Sequence, residues 1–130
     1  MERFCLDTDF LVDFLRNKQY AVDFIDEKQH GAILATTLVN LFELYRGAFK
    51  SKEPVININA ADRLFDRFAV LNLSNDSVKL AAKLKAKMEK EGNSIDIRDL
   101  FIGTIAIANN LVMKTNNVKD FSRIEGLKIA

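Results

Sequence analysis

Short apolar runs alternate along this chain with longer segments in which apolar residues recur every three or four positions. Arg3 to Leu6 reads as an extended segment ending in the acidic cluster Asp7-Thr8-Asp9, after which Phe10, Leu11, Phe14 and Leu15 recur at helical spacing. A second helix is expected from Ala21 to Lys28, closed by His30-Gly31, and Ala32 to Ala35 forms a second strand. Thr36 and Thr37 offer N-cap hydroxyls to a helix running to about Phe49. Its core face is expected to carry Leu38, Leu41, Phe42, Tyr45 and Phe49, with Glu43 off that stripe. A helix from Asn57 to Phe68, a strand from Val70 to Leu73 and a lysine-rich helix capped by Ser74-Asn75-Asp76 and stopped at Glu91-Gly92-Asn93 follow.

The segment Leu100 to Ala108, opened by Ile95 to Asp99, has too few polar positions for a surface helix and should be central. Leu111 to Thr115 reads as a strand, Asn116-Asn117 as a turn, Val118 to Phe121 as one helical turn and Leu127 to Ile129 as a closing edge strand. Strands separated by helices pair in parallel, which predicts an α/β fold: a three-layer sandwich with a mostly parallel sheet of about five strands. In such sheets ligands bind beyond the carboxyl ends of the strands, where Asp7 and Thr115 fall.

The length of 130 residues favours one domain, residues 1 to 130, and one Pro with five Gly leave no flexible linker. A single Cys5 excludes an intramolecular disulfide, and no Cys/His cluster has zinc spacing. No leader-like start and no apolar run of ~18 residues occur, so a cytoplasmic protein without a membrane span is expected. The formal net charge of +1 gives no global pull on a polyanion, so any nucleic-acid contact must be local.

The chemistry rests with acids: Asp7 ends the first strand, Glu43 lies within a helix, Asp99 begins the apolar helix and Asp120 follows the fourth strand. Taken singly, each has an ordinary role: Asp7 a turn residue, Glu43 a partner of Arg46, Asp99 a helix cap, Asp120 a solvated loop acid. Taken together, most sit at element ends that face the ligand-binding edge of a parallel sheet. Two carboxylates ~4 Å apart repel by roughly 4 kcal/mol at an effective dielectric of about 20, a cost that a divalent cation removes. An all-oxygen site selects Mg2+ or Mn2+ over Zn2+. The lone His30, in a helix-to-strand turn, speaks against triad chemistry and reads as a surface residue.

Four blocks then carry a resemblance: Cys5-Leu6-Asp7-Thr8-Asp9-Phe10-Leu11, Thr36-Thr37 through Glu43-Leu44-Tyr45-Arg46-Gly47, Asp99-Leu100-Phe101-Ile102-Gly103-Thr104, and Thr115-Asn116-Asn117-Val118-Lys119-Asp120-Phe121, with Ile124-Glu125-Gly126-Leu127 closing. Spanning nearly the whole chain in order, they resemble a PIN domain of the VapC toxin group. The resemblance implies a metal-dependent endoribonuclease, the toxin of a toxin–antitoxin module. Asp7, Glu43 and Asp99 would be its principal acids on one or two Mg2+ or Mn2+ ions, Asp120 would complete the site, and Asp96 is an additional candidate. Thr8 and Thr115 match supporting polar positions, with simple capping as their alternative role. A bound hard ion activates water for attack on a phosphodiester, so no side-chain nucleophile is required. The resemblance also implies an RNA substrate, commonly transfer or ribosomal RNA, a homodimer, and a VapB-type antitoxin, often with an Arg reaching into the acid site.

Asp9 stands where many members have Asn or Ser, and Asn117 where some have Asp. Gly103 replaces a more usual Ala, which should loosen the buried helix at about 1 kcal/mol of helix propensity. Lys79, Lys83, Lys85, Lys87 and Lys90 read as a solvated face around core residues Val78, Ala81 and Leu84, with a phosphate-steering patch as the alternative. Two other classes begin similarly. An aspartyl phosphotransferase would use Asp7 as nucleophile but leaves Glu43 unemployed, and a receiver-like module lacks an acceptor Asp where Leu73-Ser74 stands. A catalytically silent PIN domain kept for binding is a third alternative.

Overall fold

The computed structural model describes residues 1–130 throughout. Four parallel strands, β1 (Glu2–Leu6), β2 (Ala32–Thr37), β3 (Ala69–Leu71) and β4 (Val112–Lys114), stand in the order β3-β2-β1-β4. Between them run α1 (Thr8–Leu15), α2 (Gln19–Lys28), α3 (Leu38–Lys50), α4 (Pro54–Phe65), α5 (Asn75–Lys90) and α6 (Ile97–Ala108), and α7 (Val118–Phe121) follows β4. The expected fifth strand shrinks to one parallel bridge between Met113 and Ile129. Its segment holds only by Met113 N–H on Lys128 and Ala130 N–H on Met113, too little to extend the ladder.

Strand side chains point alternately to the two faces, and that alternation divides the core. Phe4 and Leu6 enter one cluster with Phe10, Leu11, Ala21, Ile25, Leu44, Ala61 and Leu64, contributed by α1 to α4. Cys5, Ala35 and Met113 enter the other, with Ala81, Leu84, Met88, Leu100, Ile102, Ala106 and Phe121 from α5 to α7. Helices therefore cover both faces of the sheet, as the sandwich requires. Within α6, six consecutive or near-consecutive positions from Leu100 to Ala106 are buried, so the apolar helix is indeed central.

Two core assignments are corrected. On α3 the buried line is Asn40, Leu44 and Ala48, whereas Leu38, Phe42 and Phe49 are 41%, 55% and 70% exposed. The helix is rotated so that Asn40 meets the strand ends and Leu44 meets the α4 cluster, which turns the more apolar stripe outward. On α5 the same happens to Val78, which is exposed while Ser77 is buried in the capping box with Ser74.

Gly103 also departs from expectation. A Cβ there would lie 2.6 Å from Ile124 Cδ1 and 3.5 Å from Leu127 Cδ2, so the glycine lets the C-terminal segment close on α6 and leaves nothing loose. Since the nearest atom ends a flexible side chain, Gly103→Ala should shift stability by less than about 1 kcal/mol, the helix-propensity gain offsetting the repacking. Gly103→Val should lose about 1–3 kcal/mol in urea denaturation, because a branched side chain overpacks the same contact. An equal and small effect of both would contradict that packing.

Candidate active site

The chain passes from β1 outward to β2 and β3, then returns to lay β4 on the other side of β1. Beyond the carboxyl ends of β1 and β4 lies the switch-point crevice, where parallel sheets place ligands. Asp7 follows β1 and Thr115 follows β4, and they meet there: Thr115 Oγ1 donates to Asp7 Oδ2 at 2.6 Å. Asp7 is the N-cap of α1 yet makes no side-chain cap bond. It forgoes a contact worth ~1 kcal/mol and turns its carboxylate into the crevice.

Asn40 holds the other oxygen. Its Nδ2 donates to Asp7 Oδ1 at 3.1 Å and to Thr8 Oγ1 at 2.9 Å, while its Oδ1 accepts from Thr37 Oγ1 at 2.7 Å. Thr37 caps α3 by accepting the Asn40 N–H at 3.1 Å, and Thr36 Oγ1 ties β2 to β1 by donating to the Leu6 carbonyl at 2.8 Å. Thr8 in turn donates to Glu43 Oε1 at 2.6 Å. A continuous chain of bonds thus runs from Thr115 through Asp7, Asn40 and Thr8 to Glu43. Every buried side-chain polar atom of the protein has a partner.

The sequence pattern puts Asn40 on a small polar flank and so conceals its role. The available signal is an amide on the helical line of Leu44 and Ala48, the line that faces inward. Asn40→Ala should cost about 1–3 kcal/mol in chemical denaturation, because the Asp7 oxygen and the Thr37 hydroxyl lose their partner in a site that water barely reaches. A variant as stable as the parent would contradict this role.

Asp99, in the first turn of α6, faces the same region and shares its electrostatics. Burial, then the charges of Asp96, Glu43 and Asp120, push its carboxyl up to about 6, with Arg98 pulling the other way. Asp7 is 6% exposed, and burial pushes it up to about 7. The Thr115 and Thr8 bonds oppose that rise, and the charges of Asp9 and Glu43 add to it. Asp7, Glu43, Asp99 and Asp120 thus form a chain of mutually felt charges. Asp9 acts differently, since both its oxygens accept the Asn116 N–H at 3.2 Å and fasten the turn after β4 onto α1.

Other expectations resolve as follows. Glu43 pairs with Arg98 at 3.8 Å and has no ion pair to Arg46. Asp96, and not Asp99, is the N-cap of α6, accepting the Arg98 N–H at 2.8 Å. His30 is exposed, as expected of a surface residue, and Cys5 is fully buried with its thiol pushed up by burial and by the Asp7 charge. Of the α5 lysines, Lys79, Lys83, Lys87 and Lys90 are exposed and Lys85 is half-buried, and Lys87 pairs with Glu125 at 2.7 Å.

The donor set is all oxygen, buried at Asp7 and short of positive charge, which fits a hard divalent ion. No three acids already form a metal-ligating group, and Glu43 is engaged by Thr8 and Arg98. An ion would have to draw that carboxylate inward.

The sequence profile of the PIN domain matches residues 4–127. The chain belongs to the PIN-domain family. Ribonuclease VapC2 of Rickettsia felis is 33% identical over 72% of this PIN domain and 70% of its own length. The tRNA(fMet)-specific endonuclease VapC of Salmonella typhimurium is 28% identical over 99% of the domain and 97% of its own length. Among solved structures, VapBC2 from Rickettsia felis bound to a DNA fragment from their promoter superposes with a TM-score of 0.90 at 26% identity, covering 98% of this PIN domain and 96% of that chain. These matches place the domain in the VapC group of the family and leave the phosphotransferase and receiver readings without support.

Proposed function

We propose that this PIN domain is the endoribonuclease toxin of a toxin–antitoxin pair, dependent on Mg2+ or Mn2+ and acting in the cytoplasm. The observation that carries the reading is Asp7, a buried carboxylate at the switch point, bonded by Thr115 and Asn40 and charge-coupled to Glu43. Asp7, Glu43 and Asp99 would hold the ion, with Asp120 beside them. An ion held there would supply an activated water and charge neutralisation at the leaving oxygen. The residues of the chain supply position: Thr115 and Asn40 fix both Asp7 oxygens, and Thr8 fixes one oxygen of Glu43. The names of the VapC relatives support RNA as the substrate class.

The VapBC assemblies among its structural relatives support a VapB-type partner. A groove of about 320 Å3 between α1, α3 and α4 offers it Val12, Leu15, Leu44, Ala48 and Ala60, and opens beside Thr8 and Glu43. The outward apolar side chains Leu38, Phe42 and Phe49 suit a second copy, giving a homodimer. No helix is long and apolar enough to cross a membrane.

Partner-free protein should cut total RNA with Mg2+ or Mn2+ and stop when EDTA is added. Cleavage that continues in EDTA would sink the metal reading, and the absence of any cleavage under all three conditions would sink the enzyme.

A further inference from the structure

Arg98 is the one cation that the structure pairs with an acid of this region, and the nuclease reading so far leaves it without a role. Its direction is fixed by its own helix. Asp96 caps α6 by accepting the Arg98 N–H, and the same carboxylate receives the guanidinium in a fork, Nε to Oδ1 at 3.2 Å and Nη2 to Oδ2 at 2.9 Å. Both oxygens of Asp96 are thereby engaged by the guanidinium, so in this structure it acts as the positioning residue of Arg98. Forked pairing restricts a planar guanidinium to one plane. The free end, Nη1, then stands 3.8 Å from Glu43 Oε2, while the side chain keeps 39% exposure.

That gap is longer than a hydrogen bond, so the contact is a loose ion pair that another anion can replace. Around it lie Glu43, Asp96 and Asp99, and the chain's net charge of +1 provides no general attraction to compensate. A phosphodiester entering this ring of acids needs a local cation, and Arg suits phosphate geometry best. A Glu43 carboxylate drawn to an ion would leave Arg98 Nη1 without its anion.

We infer that Arg98, oriented by Asp96, binds a phosphate of the RNA backbone at the mouth of the acid centre. This rests on the nuclease reading. It predicts an effect on substrate binding that is separable from metal binding.

The test uses the full chain as wild type, Arg98→Ala, Arg98→Lys and Asp96→Asn, with folding checked by circular dichroism. RNA affinity is read by anisotropy of a short fluorescein-labelled single-stranded RNA in Ca2+, KM and kcat in Mn2+, and Mn2+ affinity by calorimetry. Arg98→Ala should weaken RNA binding and raise KM by about 10- to 100-fold, the usual range for a charged hydrogen bond. The salt slope of RNA binding should fall by about 0.7, as for one phosphate contact to a single strand. Mn2+ affinity should change by less than about fivefold, as for an exposed ion pair. Arg98→Lys should fall between, and Asp96→Asn should weaken RNA while leaving Mn2+ in place.

RNA affinity and salt slope unchanged in Arg98→Ala overturn the inference. So does tighter Mn2+ binding with no effect on RNA, which would make Arg98 a competitor for Glu43. Loss of Mn2+ binding in Asp96→Asn would place Asp96 in the ligand set and also overturn it. A wild type without metal-dependent cleavage removes the nuclease reading and this inference together, whereas cleaving wild type with indifferent Arg98→Ala removes this one alone.

Discussion

Asp7→Asn should reduce RNA cleavage by about 100-fold or more without unfolding the protein. Partners that only orient a metal ligand cost about 10- to 100-fold when removed, so a buried principal ligand should exceed that range. The amide retains the shape and accepts from Thr115 with its remaining oxygen, while its NH2 faces the Asn40 donor and the negative charge that would hold the ion is gone. The relieved repulsion with Asp9 and Glu43 offsets the lost Asn40 bond, so the metal-free variant should stay folded at pH 8 and melt close to its parent. Asp99→Asn should behave the same way in kind. Single-turnover kinetics alongside thermal melts separate lost chemistry from lost structure. Cleavage within about tenfold of the parent in both variants would remove these acids from the mechanism.

The second large effect concerns pH and metal together. Asp7 is raised to about 7 and Asp99 to about 6, from the ordinary 3.8. Between about pH 4 and 7 the folded state therefore binds more protons than the unfolded state, and metal-free stability falls as pH rises through that window. The carboxyls held low, Asp13, Asp96 and Glu125, add stability that is lost only on acidification below their ordinary range, so they leave this window flat. Mn2+ needs deprotonated ligands and must displace protons below pH 7. The melting temperature in EDTA should thus decline from pH 5 to pH 8, and the gain on adding Mn2+ should be larger at pH 8 than at pH 5. A metal-free melting temperature that climbs over this range, or a gain independent of pH, would contradict the burial and charge crowding of Asp7 and Asp99.

Much of this arrangement is written in local pattern. The apolar run before Asp7, the threonines before α3 and the apolar stretch after Asp99 each mark an element whose end carries a side chain of the candidate site, because strand and cap signals act over a few residues. What the pattern conceals is which face of a helix turns inward. On α3 the stripe of Leu38, Phe42 and Phe49 is the more hydrophobic, yet the fold buries Asn40, Leu44 and Ala48. A stripe left on the surface has the same periodicity as one buried in the core.

The same limit hides Asn40, whose polarity suggests a surface position while its partners Asp7, Thr8 and Thr37 come from three different elements. Asp96 and Arg98 are illegible as a pair for a related reason, since forked bonding two residues apart depends on the N-cap geometry of α6. The closing strand at Leu127 to Ile129 dwindles to a bridge because a few apolar residues satisfy a strand pattern without supplying a ladder.

Everything functional proposed for this PIN domain depends on a hard ion gathering carboxylates from β1, α3 and α6. Crystals grown with Mn2+ and measured for its anomalous signal test that directly. The expected result is a peak at about 2.1 Å from oxygens of Asp7 and Asp99, with Glu43 turned away from Arg98 toward it. A map with no peak at the ends of β1 and β4 at saturating Mn2+, or with the ion bound only elsewhere on the surface, would contradict it.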